Sequence, residues 1–133
     1  DLLLRTVKAD NPKIINLDLQ QIESKTKILE QESMQMLQAM RKQSKGKYYV
    51  KEVNNKFSIN SHKDLIANQK EIYQFGDLKG VPLVLKNHGK KIITLNVQNF
   101  LYDFNNIIAL QVDDLTLLPS KETKVFLIVE SGE

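Results

Sequence analysis

The chain has 133 residues, 41% hydrophobic and 26% charged, with a formal net charge of +3, enough for one domain with a real hydrophobic core. It contains no cysteine, which excludes disulfides, thiolate metal sites and a cysteine nucleophile within these residues. Its lysines are scattered rather than gathered on one stripe, as nucleic-acid binders gather them, and no run approaches the ~20 apolar residues that span a bilayer.

The first residues, Leu2-Leu3-Leu4-Arg5, read either as a short strand or as the trailing end of a preceding anchor or signal region. Asp10-Asn11-Pro12 is a turn signal. Lys13 to Leu19 is ambiguous. Ile15, Leu17 and Leu19 alternate as in a strand, while Ile14 and Ile15 equally suit the opening of a helix.

Ile15 to Met40 holds the longest periodic pattern. Ile15, Ile22, Leu29 and Met36 recur every seven residues, and Leu19, Thr26, Ser33 and Met40 follow each by four. This is the seam of a helix repeating every 3.5 residues. Ile28, Met34 and Leu37 widen it beyond a strict seam. Thr26 and Ser33 place hydroxyls in it, which bonds back to the preceding turn would satisfy. The pattern predicts a helix from about Asp18 to Gln43, capped by Asp18 or Asn16 and stopped at Gly46. Arg41, Lys42 and Lys45 suit its negative end. The stripe has three readings: the helix's own core face, a self-pairing coiled coil, or a docking surface for another protein. On the last two, Ile22, Leu29, Met36 and Met40 are the partner-binding residues, and Leu29→Glu is expected to change the assembly state without unfolding the domain.

After Gly46 the period shortens to two. Tyr48 to Val53 and Lys56 to Ile59 read as a hairpin turning at Asn54-Asn55. Ser61-x-x-Asp64 resembles a capping box for a short helix ended by Gly76, with Leu65, Ile66, Ile72 and Tyr73 on its apolar side. Asp77 to Gly80 reads as a loop. Val81 to Lys86 and Lys91 to Val97 form a second predicted hairpin around Asn87-His88-Gly89, with Pro82 at a strand start on a sheet edge. Phe100, Leu101, Phe104, Ile107 and Ile108 predict a second short helix over Val97 to Asn106. Ala109 to Leu118 reads as a strand broken at Asp113-Asp114, and Pro119 to Thr123 as a polar turn. Lys124 to Glu130 is apolar without alternation, which places it at the centre of a sheet.

The expected fold is therefore α+β: a long N-terminal amphipathic helix, then a small, mostly antiparallel sheet with two short helices. The division is a segment of residues 1–45 and a compact domain of residues 46–133, with Ser44 to Lys47 as hinge.

No pattern carries chemistry. His62 and His88 have no second ligand at metal spacing. Asp113 and Asp114 are adjacent, so on a strand they point apart. With Asp103 they would form a cation site only if the fold gathered them. Gly76 and Gly80 lack the lysine and hydroxyl of a phosphate loop. Catalytic residues, metal ligands and cofactors are therefore assigned as none, and the chain is read as a non-enzyme. The expected role is a protein-interaction, assembly or scaffold module, oligomeric or docked through the helix, in keeping with the soluble part of a membrane-associated machine. Membrane proximity follows if an anchor precedes Asp1. The alternative is single-stranded nucleic-acid binding through the basic segment of residues 41–56. There Arg41, Lys42, Lys45, Lys47, Lys51 and Lys56 are interleaved with Tyr48, Tyr49 and Phe57, offering charge for phosphates and rings for stacking. The compartment is not legible.

Overall fold

The computed structural model describes residues 2–7, 13–19 and 23–130, with side chains from Glu30 onward. It is α+β, dominated by antiparallel sheet. The strands are β1 (Leu2–Val7), β2 (Lys13–Leu19), β3 (Tyr49–Ile59), β4 (His62–Phe75), β5 (Leu78–Asn87), β6 (Ile93–Thr94), β7 (Ile107–Val112), β8 (Thr116–Leu117) and β9 (Glu122–Glu130), and the helix α1 is Glu23–Lys42. The main sheet has the order β1-β2-β7-β9-β5-β4-β3, and β6 and β8 form a separate two-stranded ribbon. Strands from both ends of the chain thus share one sheet.

β9 is central, hydrogen-bonded to β5 along one side and β7 along the other, as its unbroken apolar run predicts. It buries side chains on both faces. Val125 and Leu127 enter a core with Leu65, Ala67, Leu83, Leu85, Leu110 and Val112, covered by the β6–β8 ribbon and a short 3-10 turn, Val97–Phe100. Phe126 and Ile128 enter a second core with Met36, Leu37 and Met40 of α1 and with Tyr48, Tyr73 and Leu78. The sheet is therefore the middle layer, with α1 on one face and the ribbon on the other.

The helix corrects the coiled-coil expectation. Ile15 and Leu19, the first members of the seven-residue pattern, lie in β2, where Ile15 pairs with Leu110. Asp18 and Asn16, the expected caps, are residues of β2. Ile22 lies outside the described residues, as do Asp10, Asn11 and Pro12 of the turn signal. Met36 and Met40, 0% and 3% exposed, spend their side chains on the chain's own sheet. The wide stripe wins over the narrow seam because a sheet face is broader than a partner helix. Gly80 in β5 permits the approach: a Cβ there would meet Met40 Sδ at 2.8 Å and Met36 Sδ at 2.9 Å. The helix also ends earlier than Gly46. Gln43 takes a left-handed φ of 54°, its N–H donates to Met40 O at 3.2 Å, and Ser44 N–H donates to Ala39 O at 2.9 Å. These two bonds are a Schellman closure.

Other expectations are overturned by strand pairing. Ser61 to Gly76 is not a helix. Asn60-Ser61 is the turn between β3 and β4, and residues 62–75 are strand. Asn54-Asn55 is not a hairpin tip but an irregularity inside β3, between Glu52 and Asn55. Asp77 closes a two-residue turn with Gly76, whose φ is +57°. Lys91 to Val97 does not pair with β5. Ile93 and Thr94 pair with Leu117 and Thr116 instead. The helix expected over Val97 to Asn106 shrinks to the 3-10 turn. Pro82 lies in an interior strand, between β4 and β9, opposite a register shift of β4 between Gln69 and Tyr73. A residue without an N–H is tolerated at such a bulge.

Candidate functional site

The two register shifts lie side by side. β3 inserts a residue relative to β4, and β4 inserts one relative to β5. Each strand outward is thus longer over the same stretch, and the sheet edge bends there. In β4 the bulge also switches faces. Leu65 and Ala67 face the ribbon-side core, whereas Tyr73 faces the helix-side core.

Helix α1 covers only part of its face. Past its last turn the sheet lies open in a cleft of about 870 Å³. Pro82 and Val84 of β5 and Lys124 and Phe126 of β9 form the floor, Val53 and Asn54 of the β3 bulge line one side, and Met40, Arg41 and Gln43 line the other. Glu52, Lys70, Glu71 and Glu122 add further charge, so both signs are present in like measure. Beside the cleft, β3 ends the sheet, and its outer edge pairs with no strand among the described residues.

Arg41 fixes the helix end to this floor. Its Nε donates to Gln111 Oε1 at 2.6 Å, its other guanidinium nitrogen pairs with Asp113, and its planar group lies 4.7 Å from the Phe126 ring centre. A guanidinium suits this site because it can stack and donate in its own plane at once.

The predicted basic segment is not gathered on one surface. Arg41 is engaged within the chain. Lys47 donates to Glu32 at 3.2 Å and to Gln35 at 3.1 Å, and lies 4.3 Å from the Phe75 ring centre. Val50 packs on the helix-side core and Phe57 on the ribbon-side core. Alternation then puts Lys51 on the ribbon side of β3 and Lys56 on the helix side. Lys42 and Lys45 are exposed at the helix end. Of the interleaved rings, Tyr48 is buried and Phe57 half-buried, while Tyr49 is 67% exposed. Of the partner residues, Met36 and Met40 belong to the core, and Leu29 lies in α1.

The acidic residues do not converge either. Asp103 accepts from Asn60, Asp113 pairs with Arg41, and Asp114 accepts from Thr116 N at 3.2 Å. Among the described residues no group of three His, Cys, Asp or Glu could hold a metal ion, and no helix is long and apolar enough to cross a membrane. His62 and His88 are both exposed.

Two buried hydroxyls, Ser33 Oγ and Tyr48 OH, have no hydrogen-bond partner among the described residues. Burial raises the Tyr48 phenol, with nearby Lys47 opposing and Glu32 adding to the rise. Burial, then Glu71, raises the Tyr73 phenol.

The cleft escapes sequence reading because its lining comes from β3, β4, β5, β9 and α1, and no local pattern joins them. The nearest signal in the sequence is Asn54-Asn55, which marks the break in β3 but predicts a turn there. Comparisons with family models, curated proteins and solved structures found no match.

Proposed function

We propose that the chain is a non-enzymatic protein-interaction module that takes an extended segment of a partner protein along β3 and over the adjoining cleft. One observation carries this reading: the sheet runs out in an 11-residue strand whose outer edge pairs with no strand among the described residues, beside a cleft of mixed charge. A free edge offers main-chain donors and acceptors for strand addition, and a neighbouring cleft offers side-chain selectivity. Glu52, Glu71 and Glu122 accompany Lys70 and Lys124 there. That lining suits a polypeptide carrying both signs better than a polyanion, which three carboxylates would repel. The bulge confines strand addition to the regular stretches on either side of it, which guards the edge against indiscriminate pairing.

The test is selection from a displayed random-peptide library, followed by amide hydrogen exchange with a selected peptide bound. Protection across residues 49–59, and loss of binding in Val84→Arg with unfolding unchanged, is the expected result. Peptides that protect another surface, or bind Val84→Arg as well as the unaltered chain, would sink the reading.

A further inference from the structure

At the end of β5, two loops are tied together. Asn87 is fully buried and serves as the tie. Its Nδ2 donates to Lys91 O at 2.8 Å and Leu117 O at 3.0 Å, and its Oδ1 accepts from Gly89 N at 2.8 Å. Its backbone N–H donates to Lys121 O, and its carbonyl accepts from Ser120 N–H. All its polar atoms hold neighbouring backbone, so residues 88–92 and 118–121 form one rigid tip.

The tip presents an unusual surface. Ile93 and Leu117 pair in the ribbon and point into the core. The next residues outward, Ile92 and Leu118, are 59% and 47% exposed. Around them stand Lys90, Lys91 and Lys121, all exposed, and His88. The two loops contain no acidic residue. The nearest carboxylates are Asp64, beside Gly89, and Glu122, in register with Lys86.

We propose that this tip is a contact site for an anionic lipid surface, with Ile92 and Leu118 entering the interface and Lys90, Lys91 and Lys121 meeting headgroup phosphates and carboxylates. Aliphatic side chains held proud of a fold and ringed by lysines match a bilayer interface, where an apolar layer lies just beneath a negatively charged one. An acidic protein surface would match the charge but not call for two exposed aliphatic groups. None of these residues lines the cleft or belongs to β3, so the proposal stands or falls independently of the strand-addition reading.

The experiment is co-sedimentation of the whole chain with vesicles of phosphatidylcholine alone and of phosphatidylcholine doped with phosphatidylserine. The expected result is binding to the doped vesicles only, abolished by high salt. The Ile92→Ser/Leu118→Ser variant should bind at least about tenfold more weakly, and Lys90→Glu/Lys91→Glu should not bind. Circular dichroism and thermal unfolding of each variant report whether the fold is kept. No sedimentation with doped vesicles would overturn the proposal. So would sedimentation unchanged by the Ile92 and Leu118 substitutions, or a single-stranded oligonucleotide that displaces the vesicles and binds both forms equally. The last outcome would assign the lysines to a polyanion.

Discussion

Asn87 shows how much one polar side chain can organise when every atom is used. It lies in the core yet is not a core residue in the apolar sense. Its amide satisfies Gly89 N–H and Lys91 O of one loop and Leu117 O at the end of β8. Replacing it with alanine strands two carbonyls and an N–H, and should cost about 3 kcal/mol in urea unfolding. Aspartate should be worse, since it would turn acceptor oxygens toward two carbonyls. Gln43 makes the opposite case. It holds a left-handed φ that a residue with a Cβ adopts at a cost. Its side chain is exposed. Gln43→Gly should therefore stabilise the chain by about 1 kcal/mol, read as a rise in the urea midpoint with an unchanged slope.

Among the elements, α1 and β5 meet at the tightest place. The methionine sulfurs of Met36 and Met40 occupy the room that a side chain at residue 80 would need. Gly80→Ala should cost about 1–3 kcal/mol through overpacking. The penalty should shrink when Met40→Ala is present, and a double-mutant cycle measures that coupling. The same elements explain what the sequence revealed. β9 was legible because Val125 to Val129 is apolar without alternation, and only a central strand buries both faces. The break at Asp113-Asp114 was legible because two carboxylates could not both be buried. β4 imitates a helix in sequence because its bulge shifts Ile72 and Tyr73 relative to Leu65 and Ile66. Gln69, buried on the apolar face and accepting from Asn55 at 3.3 Å, hid the alternation further. α1 was recognised, but its seam ran backwards into β2, since Ile15 and Leu19 satisfy a period of two as well as one of seven. The cleft was not legible at all, because it depends on pairings between distant strands.

At the scale of the whole molecule, the aromatic cluster beneath α1 makes stability sensitive to alkali. Tyr48 packs 6.3 Å from Tyr73 and 5.8 Å from Phe75, centre to centre. Burial raises both phenols above their ordinary value of 10.0. Below pH 10.0 the phenols are neutral in both states, and their contribution is whole. Above it the unfolded chain gives up protons that the folded chain retains, so stability falls as the pH rises through the folded values. Urea midpoints should be flat up to about pH 10 in this respect and decline beyond it. Tyr48→Phe should lessen the decline. It should also cost nothing near neutrality, because the hydroxyl it removes is buried without a partner among the described residues.

The position of β9 bears on biosynthesis. A ribosome delivers this strand after every other strand described, yet β5 and β7 are joined only through it. Until residues 122–130 leave the exit tunnel, β3, β4 and β5 can form a meander on one side and β2 and β7 a pair on the other, with no common partner. Val81, Leu83, Leu85, Leu110 and Val112 then lack Val125 and Leu127, the β9 side chains that join them into one core. A nascent chain stalled before Val125 should be held by chaperones and cut readily by proteases, and one stalled where Glu130 has cleared the tunnel should be held and cut less.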